Sequence, residues 1–142
     1  METLDKLTTV SPQIQTNELE KLAESDIKHI ICHRPDEEEN EQPSFEVIEK
    51  EAEKVDIKAY HLPVRDGEFP EQAIAKTAEI LARAAEQQEK VHMYCRSGTR
   101  STIIWAAIEA QKGTDLESII DTAANAGYGI GQLRDFLAQY QS

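Results

Sequence analysis

Short apolar runs alternate along the chain with longer stretches in which apolar residues recur every three or four positions, the pattern of strands alternating with amphipathic helices. Leu7 to Ile14 is a β-prone stretch interrupted by Ser11 and Pro12, and it reads as an edge element. Thr16 is placed to cap a helix running through Ser25. Lys28 to Cys32 is a compact apolar run, the first inner strand, and it stops where His33, Arg34, Pro35 and Asp36 begin. Ser44 caps a helix whose Phe45, Ile48, Ala52 and Val55 share one face. A second strand, Ile57 to Leu62, closes at Pro63, and the polar turn Arg65 to Glu68 leads to Pro70 at the start of a long helix. On that helix Ile74, Ala78, Leu81 and Ala85 form the expected buried face. The third strand, Lys90 to Tyr94, runs directly into Cys95 to Ser101, after which Ile103 to Gln111 is helical up to Gly113. Thr114 and Glu117 have capping-box spacing for a helix ending near Gly127, and Ile130, Leu133, Leu137 and Tyr140 mark a last amphipathic helix.

This alternation predicts an α/β fold with a mostly parallel central sheet and helices on both faces. Such sheets bind ligands at the carboxyl ends of their strands, and three interruptions fall there: His33 to Asp36, Arg65 to Gly67, and Cys95 to Ser101. With 142 residues the chain has the length of one domain, expected to span 1–142. A net charge of −12 would repel a phosphate backbone, so nucleic acid is not an expected partner. No apolar run is long enough for a membrane span, and the N-terminus lacks the basic-then-apolar order of a secretory signal, so a cytoplasmic protein is expected. The five acids of residues 36 to 42 read as a solvated loop.

The two cysteines, Cys32 and Cys95, have neither zinc-site nor disulfide-framework spacing. His29, Cys32, His33 and Asp36 lie on a strand-to-loop segment and not on a helix, which disfavours a metal site; no cofactor is called for. Cys95 leaves a strand, enters a turn loosened by Gly98 and precedes a helix, whose amides and dipole present positive potential. Arg96 and Arg100 add two full charges, and no acid occurs from Lys90 through Ile108. Such surroundings favour a thiolate and cradle an anion such as phosphate. Cys95 is therefore the expected nucleophile, with Arg100 forking onto anion oxygens and Arg96, Ser97, Gly98 and Thr99 lining the cradle. Ser101 has two readings, a hydroxyl bonded to the thiolate or a helix N-cap. Asp66 is the expected acid for a leaving oxygen, with Asp36 in reserve.

Lys90 to Ser101, preceded by Asp26 to Ile31 and by Tyr60 to Asp66, resembles the cysteine-dependent dual-specificity phosphatases. More closely, the chain resembles the bacterial phosphatase-like domain of beta-lactamase hydrolase-like proteins. The matching landmarks are Ser11-Pro12-Gln13, Arg34-Pro35-Asp36, Gln42-Pro43, Leu62-Pro63-Val64, the Cys95 to Ser101 loop with Trp105, and Ala126-Gly127-Tyr128. The resemblance implies a phosphatase-like α/β fold, Cys95 as nucleophile and Arg100 as oxyanion binder. Tyr94 stands where phosphatases usually place histidine, and Cys32 and His33 stand where the bacterial family usually has asparagines. The loop is Cys-x4-Arg, one residue shorter than in those phosphatases, and this shorter form also resembles rhodanese-type sulfurtransferases. The expected activity is phosphomonoester hydrolysis through a phosphocysteine. The alternatives are sulfur transfer through a Cys95 persulfide, or a non-enzymatic redox or anion-binding module. The expected partner is thus a phosphorylated or sulfur-donor substrate; nothing in the sequence fixes an oligomeric state.

Overall fold

A computed structural model describes residues 1–141. The elements in chain order are β1 (Glu2–Thr3), β2 (Thr8–Ser11), α1 (Leu19–Glu24), β3 (Ile27–Cys32), α2 (Phe45–Lys54), β4 (Lys58–His61), α3 (Glu71–Glu86), β5 (Lys90–Tyr94), α4 (Thr99–Gln111), α5 (Leu116–Asn125) and α6 (Arg134–Ala138). Single 3₁₀ turns at Thr16–Glu18 and Gly131–Leu133 precede α1 and α6. The sheet order is β1-β2-β5-β3-β4, with every pair parallel except the antiparallel β1–β2. The mostly parallel α/β architecture expected from the alternation is the one observed.

Strand alternation divides the core. Val10, Ile31, Val91 and Met93 pack with α3, α4, α5 and α6, whereas Ile30, Cys32 and Tyr94 pack with α1 and α2 on the other face. Helix α4 is covered nearly all round, so Ile103 to Ile108 need no amphipathic pattern. Several sequence expectations shift. β2 is not an edge element: β5 pairs along one side and Glu2–Thr3 along the other, and a two-residue strand leaves no pattern to read. Gln15, not Thr16, precedes the first turn, and Asp115 rather than Thr114 caps α5 by accepting the Ser118 N–H. The buried face of α3 is Ile74, Thr77, Ile80 and Ala84, rotated from the expected one so that Ala85 is exposed. The last amphipathic segment is a 3₁₀ turn and the five-residue α6.

Two fully buried histidines tie elements together through hydroxyls. His92 Nδ1 and Nε2 lie 2.7 and 2.8 Å from Thr9 Oγ1 and Ser11 Oγ, joining β5 to β2, and His33 bridges α3 and α4. Burial pushes each imidazole from 6.5 down to about 3. The unfolded chain therefore binds protons as pH falls through 6.5, while the folded chain does not until about pH 3. Stability is full above 6.5 and declines below it. Between pH 7 and pH 5 we expect a loss of about 2 kcal/mol per histidine, read from urea midpoints at the two pH values. An unchanged unfolding free energy would show that the rings are hydrated.

Candidate active site

Cys95 follows β5 and is fully buried; its Sγ accepts the Gly98 N–H at 3.1 Å. The loop is held in this shape from outside. The Arg96 carbonyl accepts the Gln13 N–H at 3.2 Å, and the Ser97 carbonyl accepts the Tyr128 hydroxyl at 3.1 Å. A trans peptide points its C=O and its N–H in opposite directions, so pinning these two carbonyls outward turns the Ser97 and Gly98 amides toward the sulfur side. Gly98, at φ +97°, is the N-cap of α4, and Tyr128 Oη fills the space that a side chain there would need. No other residue satisfies both demands. Ser97 Oγ donates to Thr99 Oγ1 at 3.0 Å and accepts the Thr99 N–H at 3.3 Å, so both side chains are engaged at the rim.

Because α4 begins four residues earlier than its apolar pattern suggests, Arg100 and Ser101 lie in its first turn. Arg100 is 3% exposed, and its guanidinium collects the loops that follow β3 and β4. Nη1 donates to the Val64 carbonyl at 2.8 Å and to Glu38 Oε2 at 2.9 Å, Nη2 donates to Glu38 Oε1 at 2.9 Å, and Nε lies 3.2 Å from Asp66 Oδ1. The loops that follow β3, β4 and β5 thus meet at one guanidinium, the first of them through Glu38, two residues beyond the predicted interruption. Asp66 itself is exposed at the mouth.

Residues 36 to 42 are not simply solvated. Glu38 Oε1 also takes Arg34 Nε at 2.9 Å, and the hydrogen bonds from Arg100 and Arg34 hold its carboxyl below the usual carboxylate range. Glu39 Oε1 bridges Arg34 Nη2 at 2.9 Å and Arg96 Nε at 2.8 Å. Sequence reasoning misses both acids because an acidic run looks like surface; Arg34 stands just before the run, but Arg96 and Arg100 come from the distant loop after β5. Arg34, as buried as Arg100, completes its fork on Gln13 Oε1 at 3.0 Å. Asp36, the reserve acid, instead accepts the Phe45 N–H at 2.8 Å at the start of α2.

Ser101 is not an N-cap, a position that belongs to Gly98. Its Oγ lies 2.8 Å from His33 Nδ1, and no hydrogen bond to Cys95 occurs among the described residues. Cys32 is buried on the α1–α2 side with its thiol 3.3 Å from the Arg34 carbonyl, and burial pushes that thiol up to about 11. His29 pairs with Glu89 at 2.8 Å, away from His33. Among the described residues no group of three or more His, Cys, Asp or Glu could hold a metal.

Residues 1–112 match the family model of the phosphatase-like domain of beta-lactamase hydrolase-like proteins. The chain belongs to this family. Among solved structures, a Neisseria meningitidis protein described provisionally as a phosphatase is 31% identical, with a TM-score of 0.83 over 99% of this chain and 97% of that one. PTPMT1 is 17% identical (TM-score 0.81; 98% of this chain and 92% of that one), and Tk-PTP in its active form is 21% identical (TM-score 0.76; 97% and 92%). These two share the fold. No curated protein matches the chain. Family membership places the phosphatase-like domain among phosphatase-type hydrolases, and among its described residues no helix is long and apolar enough to cross a membrane.

Proposed function

We propose that this phosphatase-like chain acts as a single-domain cysteine-dependent phosphatase on phosphomonoesters. The observation that carries this reading is the Cys95 to Arg100 loop, in which an inward amide reaches the sulfur and a buried guanidinium closes the same turn. The substrate phosphoryl group sits over Sγ, with oxygens on the loop amides of Ser97 and Gly98 and on Arg100, and with Arg96 and Thr99 at the rim. Cys95 Sγ attacks phosphorus, an S–P bond forms as the ester P–O bond breaks, and Asp66 gives its proton to the leaving oxygen. Water then attacks the phosphocysteine and gives a proton to the Asp66 carboxylate. The S–P bond breaks, releasing inorganic phosphate and restoring the thiolate. Asp66 lies against Arg100 Nε at the mouth, so a bound phosphate takes over that edge of the guanidinium and frees the carboxyl to reach the leaving oxygen.

Asp66→Asn is the test of the acid. With an alkyl phosphate, whose leaving oxygen needs a proton, kcat is expected to fall about a hundredfold. With a nitrophenyl phosphate the loss is expected to be much smaller. Equal losses on both substrates would remove Asp66 from this role.

The six-residue loop favours one second reading. In sulfur transfer the Cys95 thiolate attacks the outer sulfur of thiosulfate, sulfite leaves with the electron pair of the broken S–S bond, and the persulfide passes its sulfur to an acceptor such as cyanide. That route uses Cys95 and the arginines and has no need of Asp66. A protective disulfide between Cys95 and Cys32 is disfavoured by the buried Cys32 thiol, whose pKa near 11 leaves little thiolate to react.

A further inference from the structure

Helix α5 ends in a way that aims one side chain at the loop after β5. Gly127, at φ +98°, takes the left-handed position just past the helix; its N–H is bonded to the Ala124 carbonyl at 2.9 Å, and the Tyr128 N–H to the Ala123 carbonyl at 2.8 Å. This pair of bonds stops the helix and turns Tyr128 back. Its half-buried ring packs against the core while its hydroxyl donates to the Ser97 carbonyl. The Ala126-Gly127-Tyr128 run thus serves a loop far from it in sequence, and it lies beyond residues 1–112, the part that matches the family model.

The Ser97 carbonyl and the Gly98 N–H belong to one peptide unit, and a trans peptide points them in opposite directions. One end is held by the Tyr128 hydroxyl at 3.1 Å, and the other reaches Cys95 Sγ at 3.1 Å. Rotation of this unit is taken up by ψ of Ser97 and φ of Gly98, and glycine accepts φ of either sign, so the residue that gives the loop its shape also leaves the peptide free to turn over. Turned over, it would present a carbonyl oxygen to the sulfur and to any bound anion. We propose that Tyr128 is a positioning residue that locks the Ser97–Gly98 peptide with its N–H toward Cys95, so that the end of α5 sets the anion-binding state of the loop. The functional half of this inference rests on the reading of Cys95 as nucleophile. The phenol has one proton, which the Ser97 carbonyl takes, and burial together with the Cys95 and Glu2 charges disfavours its ionisation.

Tyr128→Phe keeps the ring and removes only the hydroxyl. Two readouts on the full chain need no turnover: hydrogen exchange of the Gly98 amide, followed by NMR, and the pH at which iodoacetamide labels half of Cys95 in a fixed time. In Tyr128→Phe the Gly98 amide is expected to exchange at least about tenfold faster, with the amides of β5 unchanged. The thiolate loses its amide donor, so the half-labelling pH is expected to rise by about one unit. A hydroxyl that served only the packing of α5 would move neither. The proposal is overturned by unchanged Gly98 exchange, by an acceleration that β5 shares, or by a half-labelling pH that stays or falls. Should Cys95 of the unaltered protein resist labelling throughout the neutral range, the nucleophile reading itself would fail, and Gly98 exchange alone would then decide whether Tyr128 holds the peptide.

Discussion

Cys95→Ser is expected to remove phosphomonoester hydrolysis almost entirely, by about 10⁴-fold or more, with circular dichroism and urea midpoint close to those of the unaltered protein. The sulfur is fully buried and its hydrogen bond is an accepted one, from the Gly98 N–H. A serine oxygen can accept the same bond and is smaller than sulfur, so nothing in the loop must move to receive it. What disappears is the nucleophile, because a hydroxyl oxygen attacks phosphorus far less readily than a cysteine sulfur. Activity surviving at more than one part in a hundred would mean that phosphorus is attacked by some other group.

Arg100→Lys is expected to cost about 10²-fold to 10³-fold in kcat, the range for loss of an aligned oxyanion donor. The guanidinium spans Val64, Glu38 and Asp66 with three nitrogens at once, and an ammonium on a flexible stem cannot occupy those positions together. Lysine would also leave the partly buried Glu38 carboxylate with Arg34 as its main partner, so a loss of stability accompanies the loss of rate. Arg96→Lys is the natural contrast: that side chain is 63% exposed and makes one ion pair, with Glu39. Its expected effect is under tenfold. Equal and small losses in both variants would detach Arg100 from the oxyanion.

The parts of this molecule legible in the sequence are those written locally. Lys90 to Tyr94 forms the predicted strand residue for residue, and the next six positions already contain the thiol, the glycine with positive φ and the arginine that make the loop. The convergence of His33, Arg65 and Cys95 segments follows from parallel topology, since every strand of a parallel sheet ends at the same edge. What escapes the sequence depends on partners far away. Glu38 looks like one acid among five until the fold sets it between Arg34 and Arg100. Thr77 interrupts an apolar face, and only its bonds to Ala73 and His33 explain why a hydroxyl can be buried there. β2 reads as an edge because its outer neighbour is two residues long. The start of α4 is hidden because Thr99, Arg100 and Ser101 are polar yet helical, with Gly98 in place of a side-chain cap.

The central claim is phosphoryl transfer by Cys95, and its most direct test is a pair of assays on one preparation. Inorganic phosphate released from an aryl phosphate and thiocyanate formed from thiosulfate and cyanide are measured side by side, for the unaltered protein and for Cys95→Ser. Phosphate release that exceeds thiocyanate formation, is blocked by vanadate and disappears in Cys95→Ser is the predicted result. Vigorous thiocyanate formation, with phosphate release no greater than in Cys95→Ser, would contradict it and make the loop a sulfur-transfer site on a phosphatase-like fold.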